Sequence, residues 1–305
     1  MKYMNQIVQG NAINVMQEME NESIHTLITD PPYNYEFIGK DWNEEETSRR
    51  INRVKGSSTM VKNIPYGSGL AGGVRNKKWY ERNRQNILDY EDWCTEWGKE
   101  AYRVLKPGAL ALVFNSTRTA AHVQIGLERA GFYARDILVW RRNSGIPKGL
   151  NAEQQLKKQG NANYKSWKGW HSTLRNEWEA IVVVQKPLEN NYLTTLKNHN
   201  TGLFHTQRDD VDGFQSNIIE NIYREKKDAF NTHPTVKPLE LMERLIKLTM
   251  PLNGNNILLD PFIGSGTTAL AAQNLNVNWV GIELNSSYID IANQRLHKKQ
   301  QESLF

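Results

Sequence analysis

Cysteine is almost absent from the sequence, because Cys94 is the only one among 305 residues. A single cysteine excludes a disulfide framework and a cysteine-based metal cluster within one chain. The seven histidines show no paired ligand spacing such as HxxxH. We therefore predict no metal site.

Long hydrophobic runs are also missing. No stretch approaches the roughly 18 to 20 apolar residues of a membrane helix, and the first residues lack the apolar segment of a signal peptide. We expect a cytoplasmic protein without a membrane partner. Apolar residues make up 39% of the chain and charged residues 23%, which is typical of a globular enzyme and excludes a disordered or fibrous chain.

The charge is uneven along the chain, although the net value is only +5. Between Thr47 and Gln85, ten basic residues stand against one acid, Glu81. Such a stretch repels itself unless something anionic lies beside it. Gly and Ser fill much of the rest, so we predict a long basic loop over 36–89 that contacts phosphates. A solvated, disordered insertion is the alternative.

Strands and helices are predicted to alternate along the chain. Apolar runs of strand length recur at 25–30, 109–114, 133–140, 179–185, 257–260 and 278–283. Helical spacing lies between several of them, for example at 90–105. This alternation predicts a single α/β domain over 1–305 with a mostly parallel, doubly wound sheet. Two polar regions, 36–89 and 141–232, are predicted insertions.

A glycine loop late in the chain has the character of a nucleotide site. In ILLDPFIGSGTTALAA a buried strand reaches Asp260, and Gly264 and Gly266 then let the backbone approach a ligand closely. Glu283 ends the next strand, where a carboxylate accepts ribose hydroxyls. The loop also satisfies a dinucleotide fingerprint, but only 22 residues follow Glu283. That order disfavours a nicotinamide enzyme and leaves an ordinary tight turn as the alternative.

A second motif, DPPYN, ends an early strand. Adjacent prolines cannot continue a central ladder, so Asp30 is predicted at a strand's carboxyl end, the edge where open α/β sheets bind ligands. The segment resembles the (D/N/S)PP(Y/F/W) motif of amino-methyltransferases. DPFIGSGTT resembles their cofactor loop, and HPTVKPLELMERLI resembles the segment before that loop. The order resembles the β class of DNA amino-methyltransferases, over roughly 5–35, 90–140 and 233–300.

The resemblance implies a Rossmann-like, S-adenosylmethionine-dependent methyltransferase domain that acts on duplex DNA. It implies catalytic roles for Asp30, Pro31, Pro32 and Tyr33. It also implies cofactor contacts from Asp30 and from a later set of residues: Thr235, Lys237, Asp260, Phe262, Gly264, Ser265, Gly266, Thr267 and Glu283. A surface position is the alternative for Lys237.

The implied chemistry suits these residue types. An aromatic amino group is a poor nucleophile because its lone pair is delocalised into the ring. The Asp30 carboxylate and, by resemblance, the Pro31 carbonyl would accept its hydrogens and turn the lone pair toward the sulfonium methyl group. Tyr33 would stack on the flipped base. Carbon-5 methylation of cytosine is disfavoured, because Cys94 lies on a predicted helix face as a small packed residue.

Several alternatives stay open. DPPY favours the N6 amino group of adenine over the N4 amino group of cytosine. Two other hypotheses are an RNA or protein amino-methyltransferase and a catalytically silent DNA-binding protein. The resemblance also leaves open two partners, a second copy of the chain in a homodimer and a cognate restriction endonuclease. Candidate DNA contacts come from the two insertions: Arg49, Arg50, Arg53, Arg75, Lys77, Lys78, Arg141 and Arg142. Trp140, Trp167 and Trp170, interleaved with Lys148, Lys165, Lys168 and Arg175, either stack on bases or pack the second insertion.

Overall fold

The computed structural model describes residues 2–33, 77–142, 149–207, 213–223, 225, 228–233, 235–252 and 254–302. Most of the predicted basic loop lies outside these residues. The same is true of four candidate DNA contacts within it: Arg49, Arg50, Arg53 and Arg75.

The described residues form an eight-stranded mixed sheet. Its strands are β1 (Gln6–Gln9), β2 (Ile24–Thr29), β3 (Leu105–Asn115), β4 (Tyr133–Arg141), β5 (Trp178–Gln185), β6 (Ile218–Ile219), β7 (Ile257–Asp260) and β8 (Asn278–Glu283). Their spatial order is β1-β8-β7-β2-β3-β5-β4-β6. Neighbouring strands are parallel except at β5, which is antiparallel to both β3 and β4. The predicted α/β class with a mostly parallel sheet is confirmed.

Helices occupy both faces of the sheet. They are α1 (Ala12–Gln17), α2 (Lys77–Val104), α3 (Ala120–Arg129), α4 (Ala152–Lys158), α5 (Tyr192–His199), α6 (Leu239–Thr249), α7 (Thr267–Asn274) and α8 (Ser286–Glu302). A 3₁₀ turn spans Tyr164–Trp167. Among the described helices, none combines the length and the apolar character needed to cross a bilayer.

Helix α2 corrects one prediction. Residues 77–89 were assigned to the basic loop, but they are helical and continue into the predicted helix at 90–105. They contain neither glycine nor proline, and Lys, Arg, Gln and Glu are good helix formers. Basic charge alone was therefore a poor sign of a loop here. Lys77 and Lys78 begin this helix, and their side chains lie outside the description.

The period-two pattern of the strands builds two cores. In β3, Ala111 and Val113 face the core beneath α1, α2 and α3, where Trp97 is fully buried. Leu112 and Phe114 face the opposite core, beneath α6 and α7. Cys94 is buried in the first of these cores, which confirms it as a packed residue.

The strand order reverses between β2 and β7. From β2 the chain passes through α2 to β3 on one side, and from β7 it passes through α7 to β8 on the other. The two strands are parallel neighbours, with Thr26 beside Leu258. Ligands of open α/β sheets bind at the carboxyl ends of the strands at such a switch point. The fold therefore brings the end of the DPPY strand and the end of the glycine-loop strand together.

The second predicted insertion, 141–232, is not one continuous excursion. It contains β5, which is buried in the middle of the sheet. Thr195 of α5 is also buried, and a side chain at Gly108 in β3 would meet its Cγ2 at 2.5 Å. The described part of the range that stands apart from the sheet is thus 149–177, with α4 and the 3₁₀ turn. We call 149–177 the α4 lobe.

Candidate active site

The two motif loops meet at the switch point. β2 ends at Thr29, so Asp30 follows a strand's carboxyl end as predicted. Thr29 Oγ1 donates a 2.7 Å hydrogen bond to Asp260 Oδ1, the last residue of β7. Pro31 is buried and Pro32 half-buried directly beyond. The ring of each proline fixes its φ angle, which holds the backbone around Asp30 with little freedom.

Both oxygens of the Asp30 carboxylate accept hydrogen bonds from side chains. The Tyr33 hydroxyl donates to Oδ1, and the Lys237 ammonium donates to Oδ2. Lys237 Nζ also donates to the Tyr33 hydroxyl at 3.2 Å. Asp30, Tyr33 and Lys237 thus form one closed polar group, although Lys237 lies 204 residues beyond Tyr33 in the sequence.

Burial dominates the electrostatics of this group. It raises the pKa of Asp30 above the ordinary value of 3.8, and the negative charge of Glu179 raises it further. The Lys237 ammonium and the Tyr33 hydroxyl act in the opposite direction, because they stabilise the carboxylate. Burial and the Asp30 charge also keep the pKa of Tyr33 well above 10, so its hydroxyl stays protonated and donates.

Lys237 is buried, with 6% of its side chain exposed, so the alternative of a surface lysine is wrong. Its Nζ lies 3.5 Å from Glu179 Oε2 and 4.9 Å from the centroid of the Phe114 ring. Arg142 Nη1 donates to Glu179 Oε1 at 2.8 Å. Asp30, Lys237, Glu179 and Arg142 therefore form a row of alternating charges that leads away from the DPPY motif. We call it the charge row.

Glu179 is a site residue that the sequence reasoning missed. It is the second residue of β5, opposite Trp140 of β4, and is 7% exposed. Because β5 runs antiparallel, its first residues lie at the edge where the parallel strands end. A parallel β5 would place Glu179 at the far edge. The available signal was a lone acid at the head of an apolar run, and its meaning depends on strand direction.

The structure gives two of the candidate DNA contacts a partner within the chain. The Arg142 guanidinium pairs with Glu179 and is 22% exposed. Arg141, at the end of β4, pairs with Glu220 at 2.8 Å and is 57% exposed. Trp140 is buried in the sheet core and is not available to a ligand.

Asp260 organises the glycine loop from inside. Oδ1 accepts from Thr29 and from the backbone N–H of Phe262 at 3.1 Å, and Oδ2 accepts from Thr268 Oγ1 at 2.6 Å. Burial raises the pKa of Asp260 to about 6 despite these donors. The carboxylate thus ties the loop both to β2 and to α7. Its predicted contact with a cofactor stays a prediction.

Glu283 reaches the same loop from the end of β8. Its Oε2 accepts from the backbone N–H of Gly264 at 3.0 Å, and its Oε1 accepts from that of Asn285 at 2.8 Å. Burial raises the pKa of Glu283 to about 7. The predicted position of a carboxylate beside the glycine loop is what the structure has.

Gly264 needs to be glycine for two reasons. Its φ is +53°, a left-handed conformation that side chains rarely adopt, and a Cβ there would stand 2.8 Å from His233 Nε2. The His233 ring packs edge-on against Tyr288 with 4.5 Å between ring centroids. Thr235 is exposed on the same segment, and its N–H lies 3.4 Å from His233 Nδ1. His233 is a second residue that the motif reading did not single out.

The other loop residues are fixed by two helices. Phe262 is half-buried and packs against Trp93 and Trp97 of α2, with ring centroids 5.4 and 5.7 Å away. Arg295 of α8 donates to the Ser265 carbonyl at 2.6 Å and to Thr267 Oγ1 at 2.9 Å. Gly266, with φ +79°, precedes α7 as its N-cap. A partly aromatic edge thus runs from Glu283 to Asp30.

The α4 lobe exposes aromatic and basic side chains. Trp167 and Trp170 are 46% and 64% exposed, and their rings pack edge to face at 6.0 Å. Lys165 and Lys168 are exposed beside them. Within the described residues the two tryptophans of the lobe are exposed and contact each other, and base stacking by them stays a prediction.

Comparisons with known proteins identify the family of the chain. Type II methyltransferase M.HindIII of Haemophilus influenzae is 31% identical over 303 residues, which cover 95% of this chain and 94% of that protein. Type II methyltransferase M.HpaI of Haemophilus parainfluenzae is 26% identical, with 95% of this chain and 73% of that protein covered.

Two solved structures are similar in fold. The M1.HpyAVI–SAM complex is 21% identical with a TM-score of 0.54, and 95% of this chain and 98% of that chain are covered. PvuII DNA methyltransferase, described as cytosine-N4-specific, is 14% identical with a TM-score of 0.56, and 94% and 84% are covered. A family model described as DNA methylase, N6_N4_Mtase, matches residues 24–294. The chain belongs to this N6/N4 family of DNA methylases.

Proposed function

We propose that this protein transfers the methyl group of S-adenosylmethionine to the N6 amino group of adenine in duplex DNA. The observation that carries the proposal is the position of the Asp30 carboxylate, beside the glycine loop at the switch point of the sheet. Membership of a DNA methylase family supports DNA as the substrate. The DPPY sequence favours adenine, and the N4 amino group of cytosine is the second candidate.

The described residues fit S-adenosylmethionine. Glu283 places a carboxylate at the end of β8, where a ribose would bind, and Gly264 adopts the left-handed turn of the loop beside it. The half-buried Phe262 offers an apolar face between them. When bound, the cofactor supplies a methyl group that its sulfonium already activates. The proposed set of contacts is completed by Asp30, Thr235, Lys237, Asp260, Ser265, Gly266 and Thr267.

Asp30 is the proposed acceptor for the target amine. Hydrogen bonds from the amine to the Asp30 carboxylate and the Pro31 carbonyl hold the nitrogen and localise its lone pair toward the methyl group. Pro31 and Pro32 keep both acceptors in place before the base arrives, so little reorganisation is needed during transfer. Tyr33 is the proposed stacking partner of the flipped base. No covalent intermediate with the protein is required.

DNA contacts are proposed for the α4 lobe and for the basic residues before α2. Exposed tryptophans flanked by lysines suit unstacked bases and phosphates, and Trp167, Trp170, Lys165 and Lys168 have that arrangement. Arg141, at the end of β4, is a further proposed DNA contact. A cognate restriction endonuclease and a second copy of the chain remain predictions from the resemblance.

Product analysis tests the proposal. The protein is incubated with S-adenosylmethionine and duplex DNA, and the DNA is digested to nucleosides for mass spectrometry. We expect N6-methyldeoxyadenosine, and methylation-sensitive long-read sequencing of the same DNA gives the sequence context. N4-methyldeoxycytidine would contradict the choice of base. Transfer to RNA or protein but not to duplex DNA would contradict the choice of substrate.

A further inference from the structure

The Asp30 carboxylate is already occupied in this conformation. Oδ1 accepts from the Tyr33 hydroxyl and Oδ2 from the Lys237 ammonium. A substrate amino group that directs one N–H to the Pro31 carbonyl directs the other to Asp30, where both oxygens already accept from Tyr33 and Lys237. Lys237 is the stronger competitor, because a cationic donor binds a carboxylate more tightly than a neutral one. An amine that approaches Oδ2 therefore competes with an ammonium.

Glu179 lies where the displaced ammonium can go. Its Oε2 is 3.5 Å from Lys237 Nζ, and it is buried without a hydrogen bond from any described residue. Its Oε1 is held by Arg142 at 2.8 Å, so the carboxylate is fixed in orientation. A movement of Nζ by about 0.5 Å toward Oε2 reaches ordinary hydrogen-bond distance, and a larger rotation of the Lys237 side chain then releases Asp30 Oδ2. A buried acceptor that lacks a donor favours that movement.

The exchange preserves the charge balance of the site. The charge row holds two carboxylates and two cations, and buried charges are tolerated only when they are paired. If Lys237 moves from Asp30 to Glu179, the net charge of the row is unchanged: Glu179 then faces two cations, and Asp30 exchanges an ammonium donor for the N–H of the neutral amine. The Phe114 ring, 4.9 Å from Nζ, offers the ammonium a further favourable contact during the movement.

We propose that Lys237 holds the place of the target amine in the base-free enzyme and passes to Glu179 when the base enters. Glu179 is then a positioning residue for methyl transfer, and it touches neither base nor cofactor. This exchange deepens the proposed function and rests on it. It applies equally to an adenine and to a cytosine amino group.

A double-mutant cycle tests the exchange by single-turnover transfer from S-adenosylmethionine to DNA. In Glu179→Gln the ammonium has lost its charged second position, so we expect the rate to fall about 10- to 100-fold. Lys237→Met also slows transfer, because two buried carboxylates are then left without their shared cation. Adding Glu179→Gln to Lys237→Met removes one of them, so the rate stays within about twofold or rises.

Controls separate this from a general structural role. Glu243→Gln, on α6 with its carboxylate toward Asn274, is the matched substitution and is expected to keep the wild-type rate. Thermal stability and the dissociation constant for S-adenosylmethionine are measured for every variant. If Glu179→Gln lowers the rate by the same factor with and without Lys237, Glu179 has a structural role and the exchange is wrong.

The direct test is a crystal structure with S-adenosylhomocysteine and DNA that carries a flipped target base. We expect Lys237 Nζ to hydrogen-bond with Glu179 Oε2 and to have left Asp30 Oδ2. An ammonium still on Asp30, with the amine bound elsewhere, overturns the exchange while the proposed function stands. A wild-type protein that methylates no DNA amine overturns both.

Discussion

The Thr29 hydroxyl donates a 2.7 Å hydrogen bond to the Asp260 carboxylate, across 231 residues of sequence. Both residues are buried, and each is the last residue of its strand. This bond joins the two halves of the site, because Asp30 follows Thr29 and the glycine loop follows Asp260. Its geometry makes the DPPY segment and the cofactor loop parts of one rigid edge.

Removal of that hydroxyl tests the link. In Thr29→Val, Asp260 loses one of its three donors, so we expect a loss of about 1 to 3 kcal/mol in stability and several-fold weaker binding of S-adenosylmethionine. Thr26→Val is the matched control, because Thr26 is also buried in β2 but donates to the Leu110 carbonyl at 3.0 Å. Urea unfolding and calorimetric titration give both quantities. Equal cofactor binding by the two variants would contradict the link.

The pH dependence of transfer is predicted from Asp30. An amine can donate to Asp30 only when the carboxylate is ionised, so the single-turnover rate at saturating cofactor and DNA falls as pH drops through its raised pKa. Lys237 lowers that pKa, and Lys237→Met therefore moves the acid limb to higher pH. Lys2→Met, at an exposed ion pair with Glu18, is the control and leaves the limb in place. If the acid limb of the pH–rate profile lies at the same pH in Lys237→Met as in wild type, a group other than Asp30 controls it.

Glu283 is predicted to destabilise the cofactor-free protein at neutral pH and above. Its pKa is about 7 when folded and near 4.5 when unfolded. Between these values the unfolded chain has released the proton that the folded chain still holds, so stability falls as pH rises through this window and stays reduced above it.

The side chain of the variant Glu283→Gln cannot ionise, so it contributes no such pH dependence to stability. From pH 5 to pH 8 its stability therefore rises relative to wild type by about 1 to 3 kcal/mol, while its affinity for S-adenosylmethionine falls about tenfold or more. Urea unfolding at each pH measures the first effect, and titration with the cofactor measures the second. A stability difference that does not change with pH would mean that Glu283 is ionised throughout.

The sequence predicted those acidic site residues that lie at the end of an apolar strand. Asp30, Asp260 and Glu283 were each predicted from an apolar run that ends in an acid, and all three meet at one edge of the sheet. The sequence did not predict the direction of a strand, nor which residues far apart in the chain lie close together in space. Glu179 reaches the site only because β5 is reversed, and Lys237 contacts Asp30 across 207 residues of sequence.

An added methyl group at Gly264 has two effects, an unfavourable backbone conformation and a close contact with His233. Gly264→Ala adds a Cβ at φ +53° and also places it 2.8 Å from His233 Nε2. Gly254→Ala is the control, because its φ is +89° but no atom of the described residues stands within 4 Å of the added Cβ. We expect about 1 kcal/mol lost in the control and more in Gly264→Ala, together with loss of cofactor binding. Thermal unfolding with and without S-adenosylmethionine checks both, and wild-type cofactor affinity in Gly264→Ala would contradict the proposed loop contact.

The most direct test of the proposed role of Asp30 is the single-turnover rate of methyl transfer to DNA by Asp30→Asn. The substitution keeps the shape of the side chain and removes the charge that holds the amine. We expect the rate to fall about 10²- to 10³-fold while the affinity for S-adenosylmethionine changes little. Asp92→Asn, at an exposed pair with Arg129, is the matched control. An Asp30→Asn protein that transfers methyl groups as fast as wild type would contradict the account.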